Sequence, residues 1–150
     1  MKVLLDTNIL LDVLEKRIPY FSDSYQVFMK AAGNEIEAII GAGSITDIYY
    51  VLKRNSKNAQ QALGLTINMM QIVTPVDTKA IDVQEATKMG FSDFEDAVVT
   101  ATAIRESVDY IITRNAGDFS ASPIPAIQPS DFLAMFTDKE KEADSNELAN

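Results

Sequence analysis

Short apolar runs alternate with longer amphipathic segments along the chain. Runs typical of buried strands lie at residues 2–5, 37–42, 71–76, 110–113 and 126–128. Between them, apolar residues recur with the i, i+3, i+4, i+7 spacing of helices, near residues 8–15, 22–32, 44–52, 59–70, 77–89, 92–107 and 130–136. This alternation predicts an α/β fold in which a central parallel sheet carries helices on both faces.

The chain length and its apolar content predict a single domain over residues 1–136. Residues 137–150 hold five acids and two lysines and predict a disordered acidic tail. The apolar runs are too short to span a membrane, and the N-terminus does not have the pattern of a signal peptide. We therefore expect a cytoplasmic protein with no membrane segment.

Histidine and cysteine are both absent. This excludes His-based triads, thiol nucleophiles and thiolate zinc sites, and it leaves acid–base work to Asp, Glu, Lys, Tyr or a metal-activated water. The net charge of −9 argues against simple electrostatic capture of nucleic acid. Divalent cations held by carboxylates would invert the local field, so a nucleic-acid enzyme stays compatible with this composition.

Four carboxylates fall at the ends of predicted strands or beside them. Asp6 ends the first strand, Asp47 lies one turn into the helix after the second, Asp96 lies one turn into the helix before the 110–113 strand, and Asp118 follows that strand. The carboxyl ends of parallel strands share one edge of a sheet, where ligands bind. Four acids at one edge favour a site for Mg²⁺ or Mn²⁺, which prefer oxygen ligands.

Each of these acids also has a purely structural interpretation. Asp6 can cap the first helix, Asp47 can belong to a capping box that begins at Ser44, and Asp118 can be a turn residue. For the helix near residues 92–107, Ser92 and Glu95 spell a capping box, and we predict Ser92 as its N-cap. Capping does not account for Asp96, which we assign to metal binding.

Four segments resemble the PIN domain family in order and in sequence. They are VLLDTNILLDVL (3–14), SITDIYYVL (44–52), DFEDAVVTATA (93–103) and YIITRNAGDF (110–119), and the likeness covers about residues 1–136. The resemblance implies a three-layer α/β/α sandwich and a metal-dependent ribonuclease that leaves 5′-phosphate and 3′-hydroxyl ends. Many bacterial members of this family are toxins of VapC-type toxin–antitoxin pairs.

The resemblance also implies roles for individual residues. Asp6, Asp96 and Asp118 match the metal-binding and catalytic positions, and Asp47 stands where the family usually has Glu. Whether Asn115 or Asp118 is the fourth position stays open. We expect supporting polar groups at Asn8, Ser44, Asp93, Thr113 and Asn115.

The implied partners are an RNA substrate, an antitoxin and a second copy of the chain, with Tyr20 and Phe21 as candidate contacts of a homodimer. The basic residues Lys16, Arg17, Lys53, Arg54 and Arg114 are either phosphate contacts or solvated surface charges. Two other functions remain open. One is a non-catalytic PIN-like binding module. The other is a Mg²⁺-dependent phosphohydrolase of the haloacid-dehalogenase type, which would want Asp where the chain has Asn8.

Overall fold

The computed structural model describes residues 1–149, which form a five-stranded sheet with α-helices on both faces. The elements in chain order are β1 (Lys2–Leu5), α1 (Thr7–Leu14), α2 (Phe21–Ala32), β2 (Glu37–Gly41), α3 (Ala42–Ser56), α4 (Ala59–Met70), β3 (Thr74–Val76), α5 (Ala80–Ala86), α6 (Phe94–Arg105), β4 (Tyr110–Ile112), β5 (Ala126–Ile127) and α7 (Pro129–Leu148). The predicted α/β class is confirmed.

The strand order is β3-β2-β1-β4-β5, and every pairing is parallel. From the central β1 the chain first winds outward through β2 and β3, and then it crosses back to place β4 on the other side of β1. The winding direction therefore reverses between β1 and β4. In open parallel sheets a crevice forms outside the carboxyl ends of the strands at such a point, and ligands bind there.

Alternating strand residues face two separate cores. Val3, Leu5, Ala38, Ile40 and Ile112 belong to the larger core, with side chains from α1, α2, α3, α4 and α7. Leu4, Ile39 and Ile111 belong to the smaller core, with Val99 and Ala103 of α6. The strands are thus apolar on both faces, as expected for a parallel sheet that is covered on both sides.

The helix α3 begins earlier than the sequence predicts. Its N-cap is Gly41, the last residue of β2, so Ser44 lies at the third helical position and does not cap the helix. The side chain of Thr78 packs against this junction, where its Oγ1 accepts a hydrogen bond of 3.1 Å from the Gly43 N–H. A Cβ at Gly41 would lie 3.1 Å from the same oxygen, so only a glycine fits there without displacing Thr78.

The helix α7 continues to Leu148, whereas the sequence predicts disorder from residue 137. The segment is rich in Lys, Glu and Ala, which have high helix propensity, and this propensity extends the helix that Pro129 starts. Residues 139–148 are all exposed and add nothing to either core. Residue 150 of the predicted tail lies outside the described residues. No helix within residues 1–149 is long and apolar enough to cross a membrane.

Candidate active site

A cavity of about 250 Å³ lies at the carboxyl edge of the sheet, where the winding direction reverses. Five of its lining side chains are carboxylates. The lining residues are Asp6, Thr7, Asn8, Leu11, Asp93, Glu95, Asp96, Asn115, Asp118 and Phe119. The structure therefore brings together three of the four predicted acids from three distant parts of the chain, and it adds Glu95.

Asp6 is the most firmly held acid of the cavity. It is 7% exposed and caps α1, with its Oδ1 accepting a hydrogen bond of 2.7 Å from the Thr7 N–H. Its Oδ2 accepts hydrogen bonds from Thr113 Oγ1 at 2.8 Å and from Asn8 Nδ2 at 3.2 Å. Burial raises the pKa of Asp6, and these three donors partly oppose that rise. The predicted supporting residues Asn8 and Thr113 thus hold the carboxylate, and Asp6 both caps α1 and lines the cavity.

The first turn of α6 contributes three acids to the cavity. Asp93 is the N-cap, and its Oδ1 accepts hydrogen bonds from the Glu95 N–H at 2.8 Å and the Asp96 N–H at 3.3 Å. The prediction of Ser92 as N-cap is wrong by one residue, because the side chain of Asp93 reaches the free N–H groups of the first turn. This shift places Glu95 and Asp96 at the second and third helical positions, where both line the cavity.

Asp96 has the largest pKa change of the site. Burial, followed by the charges of Asp6, Asp93, Asp118 and Glu95, raises its pKa from 3.8 to about 7. No side-chain or backbone donor within residues 1–149 offsets this rise by a hydrogen bond to its carboxyl oxygens. The site therefore holds more negative charge than its own groups can stabilise, which is the electrostatic condition of a cation site.

The turn after β4 supplies the remaining polar side chains. Asn115 precedes a short 3₁₀ helix over Ala116–Phe119, and its carbonyl accepts a hydrogen bond of 2.9 Å from the Asp118 N–H. Both side chains line the cavity, so the structure keeps both as candidates for the fourth position. Phe119 is buried behind them and anchors the turn in the smaller core.

Asp47 and Ser44 do not line this cavity. Asp47 is exposed on α3 and lines a neighbouring surface instead, although its charge helps to raise the pKa of Glu95 after the larger effect of burial. Asp47 is therefore close enough to the acidic cavity to act on it electrostatically. Glu95 is the site residue that sequence reasoning missed, because the predicted capping box gave its side chain a different role.

The donor set fits Mg²⁺ or Mn²⁺ in type, because every acid in the cavity offers hard oxygen ligands. Within residues 1–149, no three acidic side chains converge closely enough to hold an ion as they stand. The mutual repulsion that raises the pKa of Asp96 and Glu95 also opposes such convergence. The residues fit a divalent cation chemically and would have to close around it.

A buried ion pair supports the cavity from behind. Arg114 Nε lies 2.9 Å from Oδ2 of the fully buried Asp12 of α1, and the guanidinium stacks on the ring of Tyr20 with its carbon 3.9 Å from the ring centroid. The Arg114 N–H also lies 3.5 Å from Asn8 Oδ1. Arg114 therefore ties the end of β4 to α1, and Tyr20 is engaged within its own chain. The prediction of Tyr20 as a homodimer contact stays a prediction.

Comparison with known proteins agrees with this architecture. Residues 2–117 match the PIN domain family. Ribonuclease VapC1 of Aquifex aeolicus (strain VF5) is 27% identical over 124 residues, which cover 79% of this chain and 85% of that protein.

Solved structures with this fold include VapBC2 from Rickettsia felis bound to a DNA fragment from their promoter. It has a TM-score of 0.68 and 17% sequence identity, and the alignment covers 85% of this chain and 98% of that chain. The DNA-bound VapBC from Salmonella typhimurium has a TM-score of 0.67 and 14% identity, covering 86% and 98%. These likenesses confirm the α/β/α sandwich.

Proposed function

Because this chain belongs to the PIN domain family, we propose that it is a Mg²⁺- or Mn²⁺-dependent endoribonuclease and the toxin of a toxin–antitoxin pair. One observation carries the proposal. Asp6, Asp96 and Asp118, which lie far apart in the sequence, line one cavity at the carboxyl edge of the sheet. The absence of His and Cys fits a hydrolase that relies on carboxylates and a cation.

Asp6 and Asp96 are the main metal ligands in this proposal, with Asp118 completing the set. A bound Mg²⁺ or Mn²⁺ would activate a water for attack on the phosphodiester and stabilise charge on the leaving oxygen. Asp6 is held in one orientation by Thr7, Asn8 and Thr113, so little ordering is needed when a ligand arrives. Because the pKa of Asp96 is about 7, part of the protein holds a proton on this carboxyl group at neutral pH, and binding of a cation would release that proton.

Asp47 and Glu95 divide the role that a single Glu has in the family pattern. Glu95 lines the cavity, whereas Asp47 lies outside it and acts on Glu95 only by electrostatic repulsion. We propose that Asp47 acts on the cation through water. Asp47→Asn would then weaken cation binding less than Glu95→Gln does, and Asp47→Glu would strengthen it.

The two VapBC structures described above support an antitoxin as a partner, because they share the fold of this chain. The acidic cavity suits a basic or amphipathic antitoxin segment whose Arg side chains pair with the carboxylates. A homodimer is part of the proposal. Size-exclusion chromatography with light scattering at tens of micromolar would test it, and a clean monomer would contradict it.

The function is tested with a labelled structured RNA, incubated with the protein in Mg²⁺, Mn²⁺ or excess chelator. We expect cleavage only with a divalent cation, and fragments that carry 5′-phosphate and 3′-hydroxyl ends. Asp6→Asn and Asp96→Asn should abolish cleavage. Asp131→Asn is the matched control, since Asp131 also lies at the third position of a helix but does not line the cavity.

Two results would contradict the proposal. Cleavage that persists in chelator or in Asp96→Asn would exclude the acidic cavity as the catalytic centre. Folded wild-type protein that neither cleaves RNA nor binds Mn²⁺ in calorimetry, with or without RNA, would favour a non-catalytic binding module.

A further inference from the structure

An open cavity of about 630 Å³ runs along the second half of α3, beside the candidate active site. Three of its six lining residues are cations, in a protein whose net charge is −9. The lining residues are Asp47, Tyr50, Val51, Lys53, Arg54 and Lys57, and we call this region the basic surface.

The three cations of the basic surface are not neutralised by neighbouring acids. Within residues 1–149, Lys53, Arg54 and Lys57 take part in none of the ion pairs, whereas Arg105 and Arg114 are both paired. Lys53 and Arg54 lie in the last turn of α3, and Lys57 is its C-cap. Cations there stabilise the helix dipole, which gives them a structural role but does not explain the aromatic residue among them.

That aromatic residue is Tyr50, which is 63% exposed. It is the most exposed aromatic side chain of residues 1–149, and its only ring contact there is edge-on with Tyr49, at 5.3 Å between centroids. An exposed ring flanked by cations is the arrangement that binds single-stranded nucleic acid, since bases stack on the ring and phosphates contact the cations.

The basic surface starts near the acidic cavity, because α3 begins at the end of β2, and β2 lies beside β1, which leads into Asp6. Asp47 lines the basic surface, and its charge acts on Glu95 inside the cavity. Lys57 follows ten residues later, about 15 Å along the helix at 1.5 Å per residue. A strand of RNA that leaves the acidic cavity along α3 would therefore pass from carboxylates to cations within a few nucleotides.

We propose that the basic surface binds the RNA backbone beside the cleaved phosphodiester, with Lys53, Arg54 and Lys57 on phosphates and Tyr50 stacked on a base. This inference rests on the proposed ribonuclease function and specifies where its substrate lies. The charges favour RNA over a second copy of the chain, because a symmetric contact of this surface would bring cations against cations.

Binding is measured by fluorescence anisotropy with a labelled twelve-nucleotide single-stranded RNA. All proteins carry Asp96→Asn, so that no RNA is cleaved. The test variant adds K53Q, R54Q and K57Q. The control variant adds K88Q, K139Q and K141Q, which change the net charge equally on exposed positions outside the basic surface.

We expect the test variant to bind at least roughly tenfold more weakly at 0.1 M salt, and the control variant to bind within about twofold of the parent. The slope of log K against log salt concentration should decrease by about 2 in the test variant, since each phosphate contact on a single strand contributes about 0.7. A purely structural role in capping α3 would lower the melting temperature without changing this slope.

Tyr50 is tested separately in the same background. Tyr50→Ala should weaken binding about tenfold, and Tyr50→Phe should restore it, because stacking needs the ring and not the hydroxyl. Melting temperatures of all variants verify that they fold.

Equal losses of RNA affinity in the test and control variants would overturn the inference. An unchanged salt slope in the test variant would overturn it as well. A changed oligomeric state with unchanged RNA affinity would also overturn it and would assign the surface to a second copy. RNA cleavage by the otherwise wild-type protein is measured in parallel. Loss of binding in the test variant without any cleavage by wild type would retain this surface while refuting the ribonuclease.

Discussion

Replacing Asp96 by Asn should stabilise the protein while removing the proposed metal site. Asp96 lies among four other carboxylates, and burial and their charges raise its pKa from 3.8 to about 7. Its carboxyl oxygens accept no hydrogen bond within residues 1–149, so Asn removes a repelled charge and breaks no contact. Asp6, by contrast, accepts three hydrogen bonds, which makes it a less clean test.

The sign of the pH dependence follows from the raised pKa. Between pH 3.8 and pH 7 the folded protein holds the Asp96 proton more tightly than the unfolded chain does, so stability falls as the pH rises through this window. About three pKa units at 1.36 kcal/mol each give an upper limit of about 4 kcal/mol. Asp96 is partly exposed, and solvent screening reduces this to about 1–2 kcal/mol.

We expect Asp96→Asn to be about 1–2 kcal/mol more stable than wild type at pH 8, which raises the melting temperature by about 2–8 °C for a chain of this size. The difference should vanish near pH 4. Urea titrations at pH 4, 6 and 8 measure it. Adding Mn²⁺ at tenfold its dissociation constant should stabilise wild type by about 1.4 kcal/mol and leave the variant unchanged.

Asp131→Asn serves as the control, since it removes an exposed acid from the same helical position and should not stabilise the protein at pH 8. Two results would refute the electrostatic reasoning. The Asp96→Asn variant could be less stable than wild type at pH 8, or the difference in stability between variant and wild type could be the same at pH 4 and at pH 8. A variant that still gains stability from Mn²⁺ would refute the assignment of the ligand.

Three further changes have clear expected outcomes. Asp6→Asn should abolish RNA cleavage and shift the melting temperature by only a few degrees; a large loss of folding would instead assign Asp6 mainly to capping. Arg105→Leu should cost about 2–4 kcal/mol in urea unfolding, because it leaves the buried Asp82 carboxylate without its ion-pair partner, 2.9 Å away. An equally stable Arg105→Leu variant would show that the pair contributes nothing. Deleting residues 138–150 should leave the melting temperature and RNA cleavage unchanged, since this part of α7 is exposed; a lower melting temperature would show that it packs on the domain.

The strand ends were predictable from the sequence, and side-chain directions on helices were less so. Asp6 directly follows a strand, and its position at the carboxyl edge follows from the parallel sheet. Asp47 and Glu95 both lie early in helices, and which of them lines the cavity depends on where each helix starts. α3 starts at the end of β2 and α6 is capped by Asp93, and neighbouring capping residues such as Ser92 and Asp93 are not distinguishable by spacing alone.

The extent of α7 was unpredictable for a different reason. Residues 137–148 are highly charged and poor in apolar groups, so their composition predicts that they take no part in a hydrophobic core. In the structure they are exposed. A helix that is already nucleated at Pro129 can propagate through such residues, because adding a residue to an existing helix costs far less than starting one. Local composition therefore predicts that these residues are exposed, whereas their helical conformation depends on the helix that precedes them.

The pairing of β1 with β4 has a consequence for when the enzyme becomes active during synthesis. Val3 pairs with Tyr110, more than a hundred residues later in the chain, whereas β1 and β2 pair across about 35 residues. Closing the longer loop is slower, and on the ribosome it must await translation of β4. Until then Asp6 lacks Thr113, and Asp118 does not yet exist. With the proposed site, a nascent or prematurely terminated chain that stops before β4 should not cleave RNA, because it lacks both Thr113 and Asp118.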